Sequence, residues 1–176
     1  MEHHLPDLAG ALINLGDRLS ELGANERALH FSEQALEIYQ QLAKTNSARY
    51  LPGLARALNS VAELRCRLGL WNLALTPAEQ AMRIRQALIR GGRDHYLPNL
   101  IASLSSYALV CVNAKTDLPE ALVAVSEAIS LCERSAKRFP HAITDHVATA
   151  YTIKADVLDG LGRADEATAI RRRAQL

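Results

Sequence analysis

The chain has 176 residues, 49% hydrophobic and 22% charged, enough for one folded domain with a core. Twenty Lys and Arg against 19 Asp and Glu leave a net charge of +1, so no global field draws the chain to nucleic acid or to an anionic membrane. Three cysteines, Cys66, Cys111 and Cys132, form no Cys-x-x-Cys pair and leave an odd thiol, which argues for free, mostly buried thiols in a reducing cytoplasm.

No apolar run approaches the roughly 18 residues needed to cross a bilayer, and MEHHLPDL lacks the cationic start and apolar stretch of a secretory signal. An intracellular protein is the expectation.

Taken in order, the chain writes one outline four times. Leu-Pro stands at Leu5-Pro6, Leu51-Pro52 and Leu97-Pro98, every 46 residues, and Leu-Gly follows at Gly23, Gly69 and Gly162. In the first repeat Leu5, Leu8, Leu12, Leu15, Leu19 and Leu22 step by three and four, one face of an amphipathic helix over 5–22. A second helix over 25–44 carries Ala28, Phe31, Ala35, Ile38 and Leu42 and stops at KTNSA. The second repeat predicts helices over 50–68 and 71–90. Within it Thr76-Pro77-Ala78-Glu79 reads as a capping box, so the helix restarts or kinks at Pro77, and Arg65 stands where the first repeat has Leu19. The third predicts helices over 96–114 and 118–138 and loses its glycine, ending VCVNAKTD. The fourth predicts 142–161 and 164–175, with Lys154 in the place of Leu15. No strand-like alternation occurs, so the reading is one all-α domain over 1–176, with repeats at 4–47, 48–93, 94–139 and 140–176.

Small residues recur with the period. Gly16, Ala62, Ala108 and Ala155 share one place on the first helix of each pair. Ala28, Ala74, Ala121 and Ala167, followed seven residues later by Ala35, Ala81, Ala128 and Ala174, share two places on the second. Such positions let two helices approach closely and set their crossing angle, and a repeated angle builds a solenoid.

The stretch NLGDRLSELGANERALHFSEQAL, from Asn14 to Leu36, resembles the tetratricopeptide repeat, with Leu15, Gly16, Leu19, Ala28, Ser32 and Ala35 at that family's signature places. The resemblance extends over all four repeats. The 46-residue period, longer than the usual 34 or so, is similar to kinesin light chains and to the tail arrays of bacterial NACHT or NB-ARC signalling ATPases. It implies a right-handed α-α superhelical solenoid and a scaffold or sensor that binds proteins or peptides as a segment of a larger bacterial signalling protein. It implies neither catalysis nor a cofactor. The alternative is a structural element that self-assembles by stacking its ends through Leu5, Leu8, Ile170 or Leu176.

In that family the first helix of each pair lines the concave groove. The matching positions are Asn14, Asp17 and Glu21, beside Gly10 and Ile13, in the first repeat, and Arg56, Asn59, Ser60, Glu63, Cys66 and Arg67 in the second. The third supplies Ser105, Ser106, Leu109, Val112 and Asn113, beside Ala102, and the fourth Thr152 and Asp156, beside Thr149, Ile153 and Asp159. Five acids against two arginines give a strip of −3. The lysine and asparagine clamp that some relatives use for acidic peptide ends is absent, since Ile13 and Asp17 hold its first two places. An extended, neutral to basic peptide, hydrogen-bonded and anchored at Leu109 and Val112, is the expected ligand.

Sharper chemistry finds less support. His141 and His146, with Asp145, are spaced by five, poorly for a shared ion, so no metal is expected. His4 aligns with Tyr50 and Tyr96, and His3 beside it reads as native or as a tag remnant. There is no Gly-rich phosphate loop and no Gly-x-Ser-x-Gly, and the carboxylates are scattered singly. Arg83, Arg85, Arg90 and Arg93, and Arg171 to Arg173, read as solvated faces, so neither nucleic acid nor membrane is an expected partner. Arg67 beside Cys66 suggests a lowered thiol pKa, with simple packing as the competing role.

Overall fold

The computed structural model describes residues 4–135 and 140–174. Among these described residues lie eight α-helices: α1 (Leu5–Glu21), α2 (Asn25–Thr45), α3 (Ser47–Arg67), α4 (Trp71–Arg90), α5 (Leu97–Ala114), α6 (Leu118–Ser135), α7 (Pro140–Gly160) and α8 (Ala164–Ala174). A short 3-10 turn, Asp94–Tyr96, leads into α5, and no strand occurs among the described residues. The fold class is that read from the sequence, all-α helix pairs of the solenoid type. The chain forms two compact bodies, Met1–Ile84 and Arg85–Leu176. In the first, α2 packs between α1 and α3. In the second, α6 packs against α5 and α7, and α7 against α5 and α8.

One turn chemistry closes the first helix of every pair. The amide of Ala24 donates to the Leu19 carbonyl, Leu70 to Arg65, Thr116 to Cys111 and Arg163 to Leu158, at 2.8–3.0 Å. These are six-to-one bonds that satisfy carbonyls a helix end leaves open, and they need a left-handed residue just before the donor. Gly23, Gly69 and Gly162 take that conformation. In the third repeat, which has no glycine there, Lys115 adopts it at φ 55°.

The small-residue seam is where the sequence places it. Gly16, Ala62, Ala108 and Ala155 are buried, as are Ala28, Ala74, Ala121 and Ala167 and then Ala35, Ala81 and Ala128. The side chain of Ala174 lies outside the described residues. A Cβ on Gly16 would stand 2.7 Å from Ser32 Oγ and 3.2 Å from the Ala28 carbonyl oxygen, so only glycine fits there as the site stands. Ser32 Oγ is itself buried without a hydrogen-bond partner.

The leucine face of α1 is a different matter. Leu8 is 50% exposed, Leu15 42% and Leu22 82%. The buried stripe is Ala9, Ile13, Gly16 and Leu19. It is displaced by about one residue, or about 100° around the helix, because the close contact with α2 is made through small side chains rather than large ones. Another close approach lies between α2 and α3: a Cβ on Gly53 would meet the Tyr39 ring at 2.3 Å, so that ring lies directly on the α3 backbone.

Two helix details differ from expectation. Helix α3 begins at Ser47, because Asn46 Oδ1 accepts from the Arg49 amide at 3.1 Å and caps it, leaving Pro52 inside the helix instead of near its start. Pro77 likewise sits inside α4. A proline there cannot donate to the carbonyl four residues back, that of Leu73. Arg65 supplies the donor: its guanidinium bonds Leu73 O at 2.7 Å and Glu33 Oε1 at 2.8 Å. The arginine that interrupts the apolar stripe thus replaces the bond the proline removes.

In the second body, Asp94–Ala114 is, by length and composition, apolar enough to cross a membrane, contrary to the sequence count of apolar runs. Interspersed Ser and Ala break the run without adding charge. Half of this stretch is buried, and Leu100, Ile101, Leu104 and Ala108 belong to the core. Arg85, read as solvated, is buried, and donates to the Asn99 carbonyl at 2.9 Å and to Ser103 Oγ. Burial lowers its pKa to about 10.

Two stability experiments follow. Gly16→Ala gains about 1 kcal/mol of helix propensity but overpacks the seam at about 1–3 kcal/mol, so urea unfolding shifts to lower concentration. Adding Ser32→Ala reproduces the Ala62 and Ala78 pair of the second repeat and restores at least about 1 kcal/mol; strictly additive effects would place the obstruction elsewhere. Arg65→Leu orphans the Leu73 carbonyl and costs about 1–3 kcal/mol, and Pro77→Ala in that background recovers much of the loss by returning the amide donor.

Candidate functional site

Helices α1 and α3 of the first body present neighbouring polar surfaces. Between them Asp17, Ser20, Glu21, Ser60, Glu63, Leu64 and Arg67 line a pocket of about 200 Å³. Five of these are residues the sequence places in the groove. The other two, Ser20 and Leu64, stand three residues from Asp17 and one from Glu63, on the helix turns that close the pocket.

Arg56 ties the two helices together beside it. Its guanidinium donates to Asn14 Oδ1 at 2.7 Å and to Asp17 Oδ2 at 3.1 Å. Arg67 donates to Glu63 Oε1 at 2.9 Å and Arg18 to Glu21 Oε2 at 2.9 Å. Asn59 and Ser60 are half-buried on the same helix. Every carboxylate in this set faces a guanidinium, so their charges are locally neutralised by pairing.

Cys66 differs from its sequence reading. The thiol is half-buried, and burial first, then the field of Glu63, pushes its pKa up to about 11. The adjacent Arg67 is bound to Glu63 and does not offset this.

In the second body the expected positions are less uniform. Ser106 and Val112 are half-buried and Leu109 is exposed. Asn113 bonds the Leu109 carbonyl at 2.9 Å, and Thr152 Oγ1 bonds the Ala148 carbonyl at 3.1 Å. Ser105, however, is 6% exposed, with a buried and unpartnered Oγ, and does not line a surface. Ile13 and Ile153 are likewise core residues. Their helix faces turn inward by the same displacement seen in α1. Asp156 and Asp159 both accept from Arg171 of α8.

The strip charge of −3 therefore does not survive packing. Arg18 and Arg171, which the sequence count leaves out, reach the acids. In the first body three arginines match Asp17, Glu21 and Glu63. In the second, one arginine faces Asp156 and Asp159.

Among the described residues no group of three or more His, Cys, Asp or Glu is placed to hold a metal ion. The side chains of His141 and Asp145 lie outside the described residues, as do His3 and Leu176.

These helix pairs carry small residues at recurrent buried places, and α1 and α3 present polar surfaces beside a pocket. A family model described as Tetratricopeptide repeat matches residues 8–48. Residues 8–48 thus match a tetratricopeptide repeat, and repeats of this family mediate interactions between proteins. No curated protein sequence matches the chain. Its fold is similar to the crystal structure of BtubC (BKLC) from P. vanneervenii, with a TM-score of 0.74 and 18% identity over 97% of this chain and 63% of that one. The chain thus spans less than two thirds of that structure. A crystal structure of kinesin light chain nearly identical TPR-like repeats from Podosopora anserina aligns with a TM-score of 0.39 and 15% identity over 98% of this chain and 95% of that one.

The thiol gives a direct check of the local electrostatics. In a Cys111→Ser, Cys132→Ala background, alkylation of Cys66 by iodoacetamide in the folded protein at pH 8 proceeds well below the rate of the same chain in urea, and accelerates as pH approaches 11. Labelling as fast as free cysteine at pH 8 would restore the low-pKa reading.

Proposed function

We propose that the chain is a protein-interaction module that holds an extended segment of a partner against α1 and α3, and that it works as a scaffold or sensing part of a larger bacterial signalling protein in the cytoplasm. The observation that carries this is the pocket between the two helices, which gathers Asp17, Glu21, Ser60, Glu63 and Arg67 with the Arg56 bridge beside it. Neutralised acids and exposed amides and hydroxyls suit a partner that supplies hydrogen bonds and one or two basic groups, displacing Arg67 from Glu63 or Arg56 from Asp17. Leu109 and Val112 provide an apolar step in the second body. Interaction, rather than catalysis, is the role supported: Asp17 and Glu63 at the pocket are arginine-paired, and the half-buried thiol is held protonated. The unbridged thiols agree with a reducing compartment.

A second reading, self-association, rests on Leu8, Leu15 and Leu22. They recur every seven residues along the exposed side of α1, the spacing of a helix-pairing seam. Ile170 is half-buried on α8.

A photo-crosslinking amino acid at Ser60 is expected to capture partner protein in cells, and one at Gln40, on the exposed side of α2, is expected to capture none. Glu63→Lys should reduce the Ser60 crosslink several-fold with the melting temperature nearly unchanged. Equal capture at both positions would remove α1 and α3 as the site. Light scattering then separates the readings: a dimer lost on Leu15→Glu supports self-association, and a monomer at all concentrations excludes it.

A further inference from the structure

The two bodies treat one equivalent place differently. Residues 93 apart correspond between the first pair of repeats and the last: Leu29 to Leu122, Glu33 to Ser126, Val61 to Lys154, Arg65 to Leu158 and Pro77 to Ile170. In the first body the Arg65 guanidinium lies across this place, bonded to Glu33 and to the Leu73 carbonyl. In the second body arginine and glutamate are replaced by leucine and serine, so the equivalent charged pair is missing. A pocket of about 370 Å³ opens there among α6, α7 and α8. Its floor is Leu122, Leu158 and Ile170, continuous with the core cluster of Ala155 and Ala167.

The rim is charged. Arg163 grips Glu166 with two bonds of 2.6 and 2.7 Å, and Lys154 acts on Glu166 through its field. Two cations against one carboxylate leave the pocket mouth with a surplus positive charge. An apolar floor of this volume under a cationic rim falls within the size and make-up of ligand pockets.

We propose that this pocket is a second docking site, separate from α1 and α3, for an acidic segment of a partner protein that inserts one large apolar side chain between α6 and α8 and sets an adjacent carboxylate against Lys154. The apolar side chain takes the volume that Arg65 fills in the first body. The carboxylate meets Lys154, a cation that stands where the first body has Val61. A basic segment would meet Lys154 and Arg163 unfavourably, so the partner chemistry is opposite to that suited to α1 and α3, and the two sites are independent in any test.

The probe is an acetylated heptapeptide with a central phenylalanine flanked by aspartates, titrated into full-length protein carrying labelled Leu and Ile methyl groups. Shifts are expected at Leu122, Leu158 and Ile170, with affinity at least tenfold above that of the same peptide flanked by lysines. Leu158→Arg with Ser126→Glu copies the first body's own filling into the pocket and should remove the shifts. Lys154→Glu, at the rim, should weaken binding at least fivefold, and it keeps the test decisive if the double variant does not fold. No shift with the acidic peptide, equal affinity for both peptides, or undiminished affinity in Lys154→Glu would each overturn the proposal.

Discussion

The distance between the two helices of a repeat is the constraint on which the rest of this molecule depends. Gly16, Ala62, Ala108 and Ala155 recur on the first helices and Ala28, Ala74, Ala121 and Ala167 on the second, all are buried, and Gly16 lies against Ala28. With a methyl group or less on each side, backbones meet closely and the crossing angle has little freedom. Larger apolar residues then fill the space on either flank: Ile13, Leu19 and Leu64 in the first body, Leu104, Val157 and Leu158 in the second. The recurrent left-handed turn follows from the same constraint, because a helix reversing so tightly must satisfy its last carbonyls within the turn itself. Where glycine is missing, Lys115 bears the strained conformation instead of the turn being lost.

Charges are arranged by a second, local rule. Asp17, Glu21, Glu63, Asp156 and Asp159 on the first helices meet arginines from another helix or from their own turn. Exposed pairs of this kind contribute about 0–1 kcal/mol to stability. Their weight lies in what they leave available: a ligand competing for Asp17 or Glu63 displaces a guanidinium, not bulk water, which favours partners with matching geometry over merely charged ones. Arg85 is the exception, a cation taken into the core and held by a carbonyl and a hydroxyl.

How far the sequence was legible depended on whether a feature repeats. The period, the seam and the helix limits, which agree to within a few residues, were all visible, because four copies obey the same sterics. Features that belong to one repeat were not. The Tyr39 ring on Gly53 involves residue types that do not recur: one period on, Arg85 and Asn99 hold the two places and meet through a hydrogen bond. The leucines of α1 misled because periodicity weighs large side chains, while the contact is made by small ones. Ser105 was placed on the surface by family register, yet it is buried in an apolar helix, at the place where α1 carries the buried Ile13. Cys66 failed for a different reason: its neighbour in sequence, Arg67, is spent on Glu63, and burial then decides the thiol's ionisation.

Arg65 and Pro77 carry a consequence for how such a chain could have multiplied. They sit on opposite sides of the Gly69 turn, and each compensates for the other. A recombination breakpoint in that turn would part them. One product would inherit a proline with an unanswered carbonyl, the other an arginine facing an ordinary helix. Duplication by whole helix pairs is therefore tolerated here, while exchange of single helices is penalised, and the inheritable module is the pair bounded at its outer loops.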